Sequence, residues 1–349
     1  FHLFQLNLLT NKISYNIPKY NWLGKNSSQS DILQVKSPHI VKQTKFWYIQ
    51  GSPKPLIGNL SETYTYYSLH ISFYFLSVWT IGETSDNHYR GIVVISMSSA
   101  IHFFHANGFP VETYNDLLNN LEGQVVSPIS ILGEGIQTVY EGYEDFVDEV
   151  IEHASKTKGE GVAIGHSFGA TLSLLAEARQ PGLFKTVILL DPPLFSRTKM
   201  IIVSILRRLG LEYLVTPAKK SMKRRESFKS REEAMEYFSS KALFRDVPQS
   251  TIELYVKYGL EEIGGEYRLV ISRERETDIY LNFPTRLPNE ISRIQGNLIY
   301  ADKVRLLDDA DLKWWNKAMP KISRSPFHGS HMFPFEKPKE LAGFINQIV

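Results

Sequence analysis

The segment GHSFG at residues 165–169 places a serine at the centre of a G-x-S-x-G pattern. An apolar run, GVAIG, ends at the first glycine, and ATLSLLAEAR, which has high helix propensity, follows the second. A sharp turn between a strand and a helix projects a serine hydroxyl from a sheet edge and accepts only small flanking residues. We therefore predict that Ser167 is a nucleophile and that Gly165 and Gly169 permit the turn; the alternative is an ordinary glycine-rich turn.

A serine hydroxyl needs a general base before it can attack a carbonyl carbon. His331 lies in GSHMFPFEKP (329–338), after the last predicted core strand and before a closing helix. A loop in this position can reach the edge of the sheet that carries Ser167. His328 is a nearby alternative, whereas His166 lies inside the turn and should point away from the nucleophile. We predict that His331 is the base.

Short apolar strands alternate with helical segments from residue 101 onward. Wholly apolar short strands indicate a mostly parallel sheet with helices on both faces, which is an α/β fold. The predicted strands are 101–104, 125–132, 161–165, 185–190 and 297–300, and the predicted helices are 138–157, 170–179 and 341–349.

Residues 194–290 interrupt this alternation between two predicted core strands. They are rich in charge and largely helical in pattern, so we expect a helical cap inserted into a core formed by 97–193 and 291–349. MIIVSILRR (200–208) would supply an apolar lining to this cap or pack on the core. KKSMKRR (219–225) would supply either a basic rim that attracts anionic acyl substrates or an ordinary solvated surface.

Four segments together resemble the α/β-hydrolase superfamily, in the branch with a His-Gly type loop and a helical cap. They are HANGFP (105–110), GHSFGA (165–170), LLDPP (189–193) and GSHMFPFEKP (329–338). The resemblance spans residues 97–349 and implies the α/β-hydrolase fold, with the chain order nucleophile, acid, histidine. It also implies an oxyanion hole formed by the backbone amides of Phe168 and Phe109, with His105 and Gly108 shaping the second loop.

The identity of the triad acid is open at this stage. The common family position after strand 297–300 holds Val304, and Asp302 stands two residues earlier. Some relatives take the acid from the end of the preceding core strand, where this chain has Asp191. We favour Asp191, with Asp302 as the alternative; Asp308, Asp309 or the absence of an acid are weaker possibilities.

The resemblance implies a serine hydrolase that cleaves a carboxylic ester or related acyl substrate and needs no metal and no organic cofactor. C–C bond hydrolysis and acyl transfer on the same triad are alternatives, as is a non-catalytic protein that binds ligands in the capped pocket. A halide- or epoxide-type reaction is disfavoured because it would need aspartate at position 167. The expected partner is a small acyl substrate.

Composition excludes several other classes of protein. The chain has no cysteine, which rules out disulfides, thiolate metal sites and a cysteine nucleophile and is compatible with a cytoplasmic location. The net charge of +2 is too small to indicate a nucleic-acid partner.

The first quarter of the chain differs in character from the rest. Residues 1–96 hold eight Lys/Arg and four Asp/Glu, and Met97 is the first methionine. We expect 1–96 to be a poorly ordered or non-native extension and Met97 to be the natural start. Residues 64–81 carry no Asp, Glu, Lys or Arg, but serine, threonine and histidine interrupt the run, so we expect neither a membrane span nor a membrane partner.

Overall fold

The computed structural model describes residues 100–126, 128–157 and 161–349 in full and, before residue 100, the backbone of six strands. The chain divides into two compact units, Phe1–Ser98 and Ser99–Val349. The division falls close to the change in sequence character, but it does not bear on whether residues 1–96 belong to the native protein, which stays a prediction.

The described strands of the first unit form two antiparallel sheets. One pairs β1 with β2, and the other has the order β3-β6-β5-β4. The uncharged run 64–81 falls on β4 and part of β5, with 70–75 outside the described residues. No helix in the described part of the chain is long and apolar enough to cross a membrane. The strands are β1 Phe4–Leu8, β2 Asn11–Tyr15, β3 Phe46–Gly51, β4 Tyr64–Leu69, β5 Leu76–Ser85 and β6 His88–Met97.

The second unit is built on a six-stranded sheet with the order β15-β14-β10-β9-β7-β8, in which every neighbouring pair is parallel. The predicted mostly parallel α/β sheet is therefore confirmed. Its strands are β7 Ala100–Phe104, β8 Gln124–Val125, β9 Gly161–His166, β10 Phe184–Leu190, β14 Gly296–Ala301 and β15 Ile322–Phe327.

The second unit contains helices on both faces of this sheet and in the segment 194–290. They are α1 Asn115–Leu118, α2 Glu144–Ser155, α3 Phe168–Arg179, α4 Arg197–Arg208, α5 Ala218–Ser221, α6 Arg231–Ser239, α7 Gln249–Tyr258, α8 Arg273–Leu281, α9 Asp309–Ala318, α10 Phe333–Glu336 and α11 Pro338–Asn346. Four short 3₁₀ turns join them: Val111–Tyr114, Glu212–Leu214, Ala242–Phe244 and Asn289–Arg293.

Alternate side chains of each strand enter the two faces of the core, because a strand has a period of two residues. In β7, Phe103 packs in the cluster that contains Leu341 of α11, whereas Phe104 packs in the cluster that contains Phe146 of α2. Both phenylalanines are fully buried. Burial on both faces is why the strands are apolar throughout and not alternating.

Two predicted elements are shorter than expected. The helix predicted over 138–157 begins only at Glu144, because Gly142 (φ 89°) and Tyr143 (φ 65°) adopt left-handed conformations that a helix does not allow. The strand predicted over 125–132 is limited to Gln124–Val125, since Pro128 has no N–H to donate to a neighbouring strand. The sequence reasoning also missed β15 and α9.

The segment 194–290, which was predicted to be largely helical, contains helices α4 to α8. It also holds a three-stranded antiparallel sheet with the order β11-β13-β12. Gly264 and Gly265 take positive φ angles of 62° and 82° and close the hairpin between two of these strands, a geometry that glycine adopts without strain. The strands are β11 Ser227–Phe228, β12 Leu260–Ile263 and β13 Glu266–Leu269.

Candidate active site

Ser167 occupies a strained turn between β9 and α3. Its φ of 52° and ψ of −110° are uncommon for a non-glycine residue, and its N–H donates to the Leu190 carbonyl at 2.8 Å. A Cβ added at Gly165 would lie 2.4 Å from the Gly169 carbonyl oxygen, and one added at Gly169 would lie 2.1 Å from the Phe104 carbonyl oxygen. Only glycine fits at these two positions, and the packing around them holds the serine in its strained conformation.

The structure brings three of the predicted residues into a continuous hydrogen-bond chain. His331 Nε2 lies 3.1 Å from Ser167 Oγ, and His331 Nδ1 lies 2.7 Å from Asp191 Oδ2. A carboxylate can only accept, so Nδ1 carries a proton and donates it to Asp191. In the neutral ring, Nε2 is then the acceptor that faces the serine hydroxyl.

Asp191 is fully buried at the carboxyl end of β10 and has a positive φ of 46°. Its N–H donates to the Ile299 carbonyl at 2.8 Å. Its second carboxylate oxygen, Oδ1, accepts the N–H of Ala301 at 3.3 Å. These bonds to the neighbouring strand β14 fix the carboxylate with one oxygen directed at His331.

The other candidate acids lie in separate ion pairs. Asp302 Oδ1 contacts His328 Nδ1 at 3.1 Å, with 42% and 70% of the two side chains exposed. Asp308 caps α9 and pairs with Lys199, and Asp309 pairs with Arg305. None of these bonds reaches Ser167 or His331. Of the candidate acids, Asp191 is the one in contact with His331, and its role as triad acid stays a prediction.

His166 supports the histidine loop and does not contact the nucleophile's hydroxyl. Its Nε2 donates to the carbonyl of His331 at 3.0 Å, so its Nδ1 is the acceptor for the Tyr114 hydroxyl at 2.7 Å. Tyr114 in turn accepts the N–H of Ala106 at 3.0 Å. Complete burial, together with repulsion from the ring of His331, keeps the pKa of His166 well below its ordinary value, so the ring is neutral.

Tyr114 is a residue that the sequence reasoning missed. It links three segments near the site: the loop at Ala106, the serine turn through His166, and the histidine loop through the carbonyl of His331. A lone tyrosine has no sequence pattern that would identify such a role. The only available signal is that a buried tyrosine hydroxyl usually needs a hydrogen-bond partner.

His105 holds the loop that follows β7. Its Nδ1 donates to the Ala106 carbonyl at 2.8 Å, and its Nε2 accepts the N–H of Leu132 at 2.7 Å. Burial lowers the pKa of His105 to about 4, which keeps the ring neutral and preserves both bonds. Gly108, with φ 81°, occupies the third position of the tight turn that follows, where a positive φ favours glycine.

The turn occupies the backbone amide that was predicted as the second oxyanion donor. The Phe109 N–H donates to the Ala106 carbonyl at 3.2 Å, so this amide is committed to the turn and does not suit the predicted role. Phe168 is the first residue of α3, and its backbone N–H has no acceptor among the described residues. The backbone N–H of Asn107 likewise has no acceptor within the described part of the chain.

The cap is tied to this loop by buried polar contacts. Asn107 Nδ2 donates to the Glu276 carbonyl of α8 at 2.9 Å, and the Glu276 carboxylate pairs with Arg224. Arg224 also donates to the hydroxyl of Tyr255. A Cβ added at Gly108 would lie 3.2 Å from Arg224 Nη1, so the guanidinium lies directly against the turn.

The described residues contain no group of three or more histidine, aspartate or glutamate side chains placed to hold a metal ion. The polar side chains around Ser167 hydrogen-bond to one another and, at Asp191, to the backbone.

The sequence matches no protein-family model and no curated protein. Solved structures do superpose on most of the chain. E-2-(acetamidomethylene)succinate hydrolase gives a TM-score of 0.58 at 16% identity, covering 81% of this chain and 98% of that one. A thioesterase domain from the curacin biosynthetic pathway gives 0.56 at 15% identity, covering 82% and 100%.

A third match is the peroxisomal α/β-hydrolase Lpx1 of Saccharomyces cerevisiae, with a TM-score of 0.54 at 16% identity and coverage of 87% and 88%. The chain has the α/β-hydrolase fold. This fold carries a nucleophile at the turn after a central strand, and Ser167 lies at the turn after β9, near the middle of the sheet. At these identities the likeness establishes the fold and not the reaction.

Proposed function

We propose that this protein is a serine hydrolase that cleaves a carboxylic ester or a related acyl compound through an acyl-enzyme. One observation carries the proposal: Ser167 Oγ, the His331 ring and the Asp191 carboxylate form a continuous chain with distances of 3.1 Å and 2.7 Å. Nucleophile, base and orienting acid in this geometry are the parts that acyl transfer to a serine requires.

In the first half of the reaction, His331 Nε2 takes the proton of Ser167 as Oγ attacks the acyl carbonyl carbon. The resulting imidazolium is stabilised by the buried carboxylate of Asp191, and Nε2–H then gives the proton to the leaving group. In the second half, His331 removes a proton from water, the hydroxide attacks the acyl-enzyme, and the acid product leaves as Ser167 regains its proton.

The negative charge that develops on the substrate oxygen needs N–H donors. We assign the Phe168 amide as one donor, since it lies at the N-terminus of α3, where unpaired N–H groups and the helix dipole favour an anion. As the second donor we assign the backbone N–H of Asn107. It replaces the backbone N–H of Phe109, which already donates to the Ala106 carbonyl in the turn. One such donor contributes ~3 kcal/mol to transition-state stabilisation.

The structural neighbours do not indicate which class of acyl compound is the substrate. One is named a hydrolase of a succinate derivative and another a thioesterase, which are different acyl compounds. C–C bond hydrolysis and acyl transfer use the same triad and are competing reactions for the same site. The alternative of a non-catalytic ligand-binding protein rested mainly on the uncertain acid. The Asp191 carboxylate lies 2.7 Å from His331, which supports the catalytic proposal.

A fluorophosphonate probe tests the proposal directly because it reacts with activated serines. We expect one covalent adduct, located at Ser167 by peptide mass spectrometry, together with loss of activity on p-nitrophenyl esters. Ser167→Ala is the control and should fold normally but take no label. A folded wild-type protein that takes no label and hydrolyses no ester in a series of increasing acyl length would refute the proposal.

A further inference from the structure

Large apolar side chains are concentrated on the exposed surface of one part of the cap. Six of them define what we call the apolar cap face: Ile201, Ile202, Ile205, Leu209, Leu214 and Val215. Each is between 49% and 65% exposed. A surface cluster of this kind marks a site of interaction more often than isolated exposed residues do.

Helix α4 presents apolar residues on two opposite sides. Met200 and Val203 are buried against the body of the protein. Ile201, Ile205 and Leu209 follow one another at four-residue intervals and therefore lie along the outer side of the helix. The sequence predicted that this run would line the cap or pack on the core, but half of it faces solvent. A surface helix normally turns polar residues outward, so this side lacks a partner among the described residues.

The helix that carries this face is held firmly in place. The Ser196 N–H donates to Asp311 Oδ1 at 2.8 Å, and Lys199 Nζ lies 2.7 Å from Asp311 Oδ2. At the other end, Arg207 donates to the Phe283 carbonyl at 3.0 Å. The apolar face is thus presented on an anchored helix and not on a loose loop.

The same region concentrates positive charge. Residues 197–225 contain nine Lys/Arg and one Glu, although the whole chain has a net charge of only +2. Several of these basic residues already pair with carboxylates. Five are exposed and lie in no ion pair with the described carboxylates: Arg197, Arg208, Lys219, Lys220 and Lys223.

We infer that the apolar cap face docks on an anionic lipid surface, with its aliphatic side chains at the headgroup boundary and the basic residues against lipid phosphates and carboxylates. An apolar side with flanking Lys/Arg is the composition of helices that lie in the membrane interface. A second copy of the chain would instead bring two basic regions together, which like-charge repulsion opposes. The expectation of no membrane partner came from the lack of a spanning segment, and surface docking does not need one.

The docking surface is separate from the proposed chemistry. Lipid binding requires neither Ser167 nor His331, so Ser167→Ala should bind vesicles as the wild type does. Vesicle binding can therefore be tested independently of the proposed hydrolase activity.

Co-sedimentation of the full chain with vesicles tests the inference. We expect binding to phosphatidylcholine vesicles that contain about one third phosphatidylserine, and at least ~10-fold weaker binding to phosphatidylcholine alone. The triple variant Lys219→Glu, Lys220→Glu, Lys223→Glu should bind at least ~100-fold more weakly, since each basic residue near an anionic bilayer strengthens binding about fivefold. The triple variant Ile201→Ser, Ile205→Ser, Leu209→Ser should lose at least ~10-fold.

Matched variants elsewhere on the surface control for charge and apolar content. The charge control reverses the same number of charges on exposed lysines outside the cap: Lys313→Glu, Lys317→Glu, Lys321→Glu. Leu243→Ser, Ile263→Ser and Val304→Ser remove exposed apolar side chains outside the apolar cap face. Both control variants should bind vesicles within about twofold of the wild type.

Three results would overturn the inference. The first is wild-type protein that remains in the supernatant with phosphatidylserine vesicles. The second is equal loss of binding in the control variants, which would mean that overall charge or apolar content is responsible. The third is a lipid-independent dimer in sedimentation velocity that only the variant of the apolar cap face abolishes, which would assign that face to a second copy of the chain.

Discussion

Replacing Asp191 with asparagine should abolish the base function of His331 while leaving the site folded. Asp191 is fully buried, so its side chain cannot turn into solvent. Its Oδ1 accepts the Ala301 N–H at 3.3 Å, and an asparagine will keep its carbonyl oxygen there, because an amide NH₂ would set two donors against each other. The NH₂ group of the asparagine then faces His331 Nδ1.

This exchange reverses the tautomer of the histidine ring. Nδ1, which lies 2.7 Å from the acid, must become an acceptor, so the ring proton moves to Nε2, 3.1 Å from Ser167 Oγ. A protonated Nε2 cannot take the proton of the serine. The same replacement in a serine protease triad lowers kcat by about 10⁴, which corresponds to about 5 kcal/mol in the activation free energy. We expect a fall in kcat of this size with KM changed by less than ~3-fold.

The measurement is steady-state hydrolysis of a p-nitrophenyl ester by the wild type, Asp191→Asn and Asp302→Asn, with thermal unfolding of each. Asp302 pairs with His328 away from the serine, so its variant should retain the wild-type kcat. The reasoning is refuted if folded Asp191→Asn keeps more than ~10% of the wild-type kcat, or if Asp302→Asn loses as much activity.

Three further predictions concern the supports of the site. Gly169→Ala should lower the unfolding free energy by about 3 kcal/mol, because the new Cβ would lie 2.1 Å from a backbone oxygen, whereas Gly343→Ala in open space on α11 should raise it by about 0.5 kcal/mol. Tyr114→Phe should lower it by about 2 kcal/mol and reduce kcat, since His166 loses a buried partner. The wild type should lose ~2 kcal/mol between pH 7 and pH 5 through His105, whose pKa of about 4 in the folded state lies below the unfolded value of 6.5.

Denaturant unfolding measures all three. The sign of the pH effect follows from proton binding: the unfolded chain takes up the proton first as pH falls, so His105 is neutral with no penalty above pH 7 and destabilises the fold as pH drops from 6.5 toward 4. His105→Gln should flatten this slope relative to the wild type. An unchanged slope, equal stabilities for the two glycine variants, or a fully active and fully stable Tyr114→Phe would each contradict the corresponding prediction.

The serine turn could be predicted from sequence because every requirement for it is local. The apolar strand, the small residues at positions 165 and 169, and the helix-forming run after Ser167 lie within twenty residues of one another. The sheet could be predicted for a similar reason, since strands buried on both faces are continuously apolar. Strand β15 escaped prediction because ISRSPF is a polar segment at the sheet edge, and among the described strands it pairs with β14 alone.

The helix predicted over 138–157 shows where local patterns mislead. Val139 and Tyr143, apolar positions of the segment 138–157, are buried, but they lie in the loop before α2 and not in the helix. Burial produces an apolar pattern whatever the backbone does, so the pattern identified the buried side chains correctly and misplaced the start of α2.

The sequence by itself determined the serine turn, the candidate histidine and the α/β arrangement, because these depend on residue types at short separations. Tertiary structure alone decided that Asp191 and not Asp302 lies against His331, and that Tyr114, through His166, is linked to the loop that carries His331. Each of these depends on how β10, β14 and the intervening loops are placed in three dimensions. Hydrogen bonds extend only about 3 Å, so contacts between residues more than a hundred positions apart are set by the packing of the strands and helices between them.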